Sequence, residues 1–247
     1  MNCSCTQPDR AGSASHWGAV GRLVDSGHER RTRLAAETAL VMAGTLAVIR
    51  SLHAAPTGGS HWLLIPGILV TAALVPTWIA RREFPRIGLD ADHLRRTGRT
   101  VGVLCLCVLP VVLLGLWIAA TWRLPIPLQP VIAGPGGWLA WLLYQFLYVA
   151  VAEEVFFRGY VQANIMHLFN DRKPGTCMWR QVLIVGLSAV CFALAHLLVQ
   201  GRPIALLTFF PGLLLAWLFI RTRSLLGPIL FHGLANVGYG ILALTLT

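Results

Sequence analysis

The chain is short of charge. Only 12% of its 247 residues are Asp, Glu, Lys or Arg, against 56% that are apolar, and the mean hydropathy is +0.67. That is too little polar surface for a soluble globular domain, so a polytopic membrane protein is expected. Acidic residues are the scarcest, ten against twenty basic ones, for a formal charge of +10. In a soluble chain such an excess would point to nucleic acid. Here the arginines fall in short segments between apolar runs, which is how membrane topology is written, and no nucleic-acid partner is expected. Cysteine is present without a framework: Cys3, Cys5, Cys105, Cys107, Cys177 and Cys191 have no spacing that suits disulfides or a closed zinc site. Cys3 and Cys5 could carry acyl chains, but no apolar signal region precedes them and an unmodified tail is the expectation. Internal repeats are also missing by eye, which weighs against a transporter built from duplicated halves.

Apolar runs of spanning or near-spanning length are what the chain does have. Residues 1–33 are polar and end in "ERRTR", reading as a cytoplasmic N-terminal tail with a short surface helix at "WGAVGRLV". Residues 34–247 read as the transmembrane domain, with runs at 34–49, 62–80, 100–122, 138–160, 182–199, 204–220 and 225–246. The expected fold is an all-α polytopic transmembrane helix bundle of about seven spans. The short first and sixth runs leave the count open by one, to eight. Prolines 66, 76, 110, 211 and 228 are expected to kink several spans, and tryptophans 62, 78, 122 and 138 mark span ends. Lys and Arg number five in the tail, then one in 50–61, six in 81–99, one in 123–137, three in 171–180, one in 200–203 and two in 221–224. High and low counts alternate throughout, so the N-terminus is expected in the cytoplasm.

Of the ten acidic residues only Glu153 and Glu154 lie deep in a run, within "YVAVAEEVFFRGYVQ". An ionised carboxylate in a bilayer costs about 2.5–3.5 kcal/mol even on a lenient insertion scale, so such groups are usually paired or functional. Helical geometry separates the two: Glu154 and Arg158 are four apart on one face, while Glu153 points about 100° away. Glu154 with Arg158 therefore reads first as a structural ion pair, and Glu153 as the catalytic carboxylate. Two further polar sets occur at helical spacing. "FALAHLL" places Phe192 and His196 four apart, and "FHGLANV" does the same for His232 and Asn236. A lone intramembrane histidine is as often a packing residue as a reactive one, and Asn236 alone could bridge helices. Together they make a water-activating site, in which Glu153 is general base with His196, and His232 and Asn236 donate to the oxyanion of a scissile amide.

These three segments resemble the CPBP family, also called Abi, which includes CAAX prenyl endopeptidases and bacteriocin-processing or immunity proteins. Its pattern of Glu-Glu-x-x-x-Arg, Phe-x-x-x-His and His-x-x-x-Asn/Asp reads here as "EEVFFR", "FALAH" and "HGLAN". The resemblance covers 138–246, the expected catalytic core; residues 1–137 carry no comparable motif. It implies a glutamate-type intramembrane endopeptidase with Glu153, Glu154, Arg158, His196, His232 and Asn236 as site residues. No cofactor is expected, although Glu153, His196 and His232 would be the three ligands if zinc were used. The implied partner besides the lipid bilayer is a membrane-anchored peptide or protein substrate; the short loops and positive-inside arginines point to a bacterial inner membrane. A proton- or ion-coupled transporter and a non-catalytic immunity or scaffold protein stay open as alternatives.

Depth poses one difficulty. Counted at 1.5 Å per residue, Glu153 lies about 22 Å below Trp138, near the cytoplasmic third, and His196 about 24 Å from Arg180, near the outer third. Either residues 181–186 run along the surface, or the helices tilt steeply, or the topology is locally inverted. The working expectation is a cavity on the cytoplasmic side.

Overall fold

The computed structural model describes residues 13–54, 61–123, 137–169 and 178–246, and among these there is no strand. Seven helices follow one another: α1 (Ser13–Ala54), α2 (Ile65–Ile79), α3 (Ala91–Thr121), α4 (Gly137–Phe169), α5 (Met178–Gln200), α6 (Pro203–Thr222) and α7 (Leu226–Leu246). Six of them are long and apolar enough to cross a membrane; α2 is a 15-residue apolar helix, extended at its start by a 3-10 turn at His61–Leu64. The protein is an all-α polytopic bundle.

Local chemistry accounts for the helix ends. Asp90 caps α3, its side chain accepting from the His93 backbone N–H at 3.0 Å. That bond holds the Asp90 carboxyl below its usual range. Pro66 and Pro228 fall in the first turns of α2 and α7, where a missing N–H costs nothing, whereas Pro76 and Pro110 lie inside α2 and α3. Arg223 closes α6 in a left-handed conformation at φ 53°. Within the spans, threonine hydroxyls bond back to the carbonyl four residues earlier, as at Thr38, Thr45 and Thr77, which satisfies them without water.

The distribution of side chains is that of a chain dissolved in lipid. Leu106, Val111 and Trp78 are 78%, 69% and 80% exposed, while Glu154, Arg158 and Gln162 are fully buried. Apolar groups face outward and ionised groups inward, as a bilayer requires. α4 is the central element. Its Ala152, Phe156, Phe157, Tyr160 and Ile165 pack with Leu46 and Ile49 of α1, Leu69 and Ala73 of α2, and Phe192 of α5. A second cluster joins Val101 of α3, Leu215 and Leu218 of α6, and Phe231 of α7.

Two sets of polar contacts assign the connections to the two ends of the bundle. At one end the 80–90 linker is held by Arg82, which ion-pairs with Glu37 of α1 and donates to Asn164 of α4 at 2.9 Å. Tyr160 donates to the same Glu37 at 3.0 Å. Leu225 and Leu226 donate backbone N–H groups to Arg86 and Ile87 at 3.1 and 3.2 Å, so the α6–α7 turn is at this end too. At the other end Arg50 of α1 donates to the Val199 carbonyl at 3.2 Å. These sides match the alternating arginine counts.

Ser13–Arg33, read from the sequence as a polar tail, is helical and continues without a break into the first span. Residues 1–12, with Cys3 and Cys5, and the 170–177 connection with Cys177 lie outside the described residues. Cys105, Cys107 and Cys191 are free thiols.

Candidate active site

The Glu-Glu pair sits on a single α-helical turn, Val151–Glu154, between two more loosely wound π-helical stretches, Tyr144–Ala150 and Val155–Gln162. At the first stretch Val151 N–H bonds to Phe146 O, five residues back. Extra residues per turn of this kind are rare and concentrate at functional sites. Every residue from Phe156 to Gln162 is buried, so α4 is enclosed on all sides there.

Glu154 is wholly enclosed and holds two partners. Arg158 Nη1 donates to its Oε1 at 3.3 Å, with Nε 3.1 Å from Oε2 but not aligned as a hydrogen bond. His232 Nδ1 lies 2.7 Å from the same Oε1, tying α7 to α4. Arg158 in turn donates to the Gly212 carbonyl of α6 at 3.3 Å and lies 4.5 Å from the Phe192 ring centroid of α5. One guanidinium thus reaches two other helices from α4, and a carboxylate, a carbonyl and a π face compensate its burial.

Glu153 is in a different setting. Its Oε2 is buried without a hydrogen-bond partner, 3.8 Å from His196 Nε2 and 4.0 Å from His232 Nε2. His196 Nδ1 is 3.0 Å from the Phe192 carbonyl. A carbonyl only accepts, so Nδ1 carries the hydrogen, and in the neutral ring Nε2 presents its lone pair toward Glu153. By the same logic His232 donates its Nδ1 hydrogen to Glu154. Its Nε2 then faces Glu153 either bare or, in the imidazolium, as a donor. With His232 as the imidazolium, two carboxylates, one guanidinium and one imidazolium would make the cluster formally neutral.

Of the residues singled out in the sequence, the structure brings together Glu153, Glu154, Arg158, Phe192, His196 and His232. Asn236 is half-buried one turn along α7 from His232 and makes no hydrogen bond among the described residues. The His232–Glu154 bond, the Gly212 carbonyl and the π winding have no counterpart in the sequence reading. One hint was available: Gly233 leaves space against α4, where an added Cβ would lie 2.4 Å from the Phe146 ring.

The depth difficulty has a geometric resolution. Helix α4 continues to Phe169, past the expected end at 160, so Glu153 stands midway along 33 residues. Residues 181–186 belong to the continuous helix α5, which removes the surface-segment alternative. His196 near the end of α5 and His232 near the start of α7 reach the same carboxylate oxygen.

Zinc would need Glu153, His196 and His232 as its ligands. Among the described residues no three His, Cys, Asp or Glu side chains are grouped as metal ligands are. The residues as placed do not form such a set, and the chemistry proposed below uses side chains alone.

Fold and site together define a polytopic membrane protein with a carboxylate–histidine cluster enclosed in its bundle. Residues 135–238 match the family described as "Type II CAAX prenyl endopeptidase Rce1-like", and all three motifs lie inside the matched segment. The match supports the resemblance to the CPBP family over this segment, and the matched family is one of proteases. No curated protein and no solved structure matches the chain.

Proposed function

We propose that the protein is an intramembrane endopeptidase that hydrolyses a peptide bond in a membrane-anchored protein or peptide by carboxylate-activated water. The observation that carries this reading is Glu153 Oε2, a buried carboxylate oxygen with no hydrogen-bond partner, facing two imidazole nitrogens. Separations of 3.8 and 4.0 Å are too long for direct hydrogen bonds and suit groups that share one water.

The water donates one hydrogen to Glu153 and the other to His196 Nε2. Glu153 takes its proton as the water oxygen bonds to the scissile carbonyl carbon and the carbonyl π pair moves onto oxygen. His232, as an imidazolium oriented by Glu154, and the Asn236 side-chain amide donate to that oxyanion. Collapse of the tetrahedral intermediate expels the amine, which takes the proton held by Glu153. Glu154 and Arg158 position His232 and hold α4 against α6 and α7. The substrate is bilayer-embedded because the described connections between spans are short. A bacterial inner membrane remains the proposed location.

The test compares cells carrying the protein with cells carrying Glu153→Ala. Mass spectrometry of membrane-associated proteins should find new termini only with the unaltered protein. Identical sets of termini at equal expression would refute the reading.

A further inference from the structure

A widely open cavity of about 810 Å³ lies between the N-terminal end of α3 and the C-terminal end of α6, with Arg95, Arg96, Arg99 and Arg221 in its lining. Thr100, Val103, Leu104, Cys107 and Trp217 also line it. Asp92 is the sole carboxylate in the lining, so four arginines less one aspartate leave three positive charges. None of the four guanidinium groups has an ion-pair or hydrogen-bond partner among the described residues.

The two walls share one gradient. On α3, Val103 and Cys107 lie four and eight residues beyond Arg99, about 6 and 12 Å deeper at the helical rise. On α6, Trp217 precedes Arg221 by four residues and lies about 6 Å deeper in the same direction. Guanidinium groups stand at the end of the bundle and apolar side chains run from there toward its middle. A positive-inside bias accounts for how many arginines this end carries. It does not require them to converge from two helices on one cavity, and Arg81 and Arg86 of the same end do not line it.

We propose that this cavity binds an anionic phospholipid. The phosphate diester is held by Arg95, Arg96, Arg99 and Arg221, and one acyl chain lies along Val103, Leu104, Cys107 and Trp217. Guanidinium forks match phosphate oxygens in geometry and charge, and basic pockets between spans are a recurrent setting for lipid headgroups. A free phosphate would use the arginines and leave the apolar wall without a role. The site is separate from the carboxylate cluster and does not depend on what that cluster does.

The test uses the delipidated full-length protein in neutral detergent, titrated with phosphatidylglycerol, phosphatidylcholine or inorganic phosphate, with native mass spectrometry and melting as readouts. Phosphatidylglycerol should bind saturably and raise the melting temperature, with an affinity lowered at least tenfold in Arg99→Gln/Arg221→Gln and changed less than twofold in Arg81→Gln/Arg86→Gln. Equal effects of phosphatidylcholine, equal effects of inorganic phosphate, or equal losses in the two double variants would overturn the proposal. A second measurement leaves the arginines intact: phosphatidylglycerol brominated in its acyl chain should quench tryptophan emission, and Trp217→Phe should remove a saturable part of that quenching. Quenching unchanged by Trp217→Phe would overturn it independently.

Discussion

His232 Nδ1 stands 2.7 Å from Glu154 Oε1, and this single bond couples a histidine of the last helix to the glutamate that neutralises Arg158. Glu154 is therefore more than an anchor for a cation. Its carboxylate fixes the orientation of the His232 ring, with Nδ1 toward Glu154 and Nε2 toward Glu153.

Replacing Glu154 by Gln strips Arg158 of its counter-charge in a fully buried position. Breaking a buried pair in this way costs roughly 3–5 kcal/mol, so folded yield and melting temperature in detergent should fall markedly. Turnover per folded molecule should fall as well, because an amide holds the His232 imidazolium less firmly than a carboxylate. Melting beside active-site-normalised turnover checks both parts. A fully stable Glu154→Gln protein would contradict the pairing.

Gly233 permits the close approach of α7 to α4. A Cβ there would lie 2.4 Å from the Phe146 ring, whereas one at Gly238 would meet Leu113 at 3.6 Å, an ordinary contact. Gly233→Ala should therefore cost about 1–3 kcal/mol through overpacking, and shift His232 enough to lower turnover. Gly238→Ala should be close to neutral. Comparing the two by melting and turnover separates close approach from a general effect of alanine on this helix.

Topology can be read with single cysteines placed in a cysteine-free background. Leu89 in the α2–α3 linker and Arg202 in the α5–α6 turn lie at opposite ends of the bundle and are both exposed. Leu89→Cys should react with an impermeant thiol reagent only from the cytoplasmic face, and Arg202→Cys only from the other. Reversed labelling would invert the orientation.

Much of the site was legible because its parts lie within single helices. Glu154 and Arg158, Phe192 and His196, and His232 and Asn236 are each four apart, and an i,i+4 spacing puts both members on one face whatever surrounds them. The relationships between helices were not legible. His232 and Glu154 are 78 residues apart, and nothing in either local sequence registers one helix against another. The loosened winding of α4 was also hidden, since a run apolar all round carries no periodic signal that would distinguish a π-helical turn from an α-helical one. Depth counted from span ends failed for a related reason: the run beyond Tyr160 turns polar at Gln162, Asn164 and His167, although the helix persists there because Gln162 and Asn164 find partners on α6 and α1.

Chelation bears on how the water is activated. If Glu153 and His196 hold it without a metal, protein stripped with a strong chelator should keep its peptidase activity. Complete loss, restored by added zinc, would replace this account with metal-assisted hydrolysis.

The most direct measurement concerns Glu153. Glu153→Gln keeps the shape and hydrogen-bonding capacity of the side chain but cannot take a proton from water. Because Glu153 Oε2 has no hydrogen-bond partner to lose, the melting temperature should barely change. Turnover per folded molecule should fall by at least the roughly 10²–10⁴-fold attributed to a general base. A Glu153→Gln protein that melts normally and turns over at a near-normal rate would contradict the proposed chemistry.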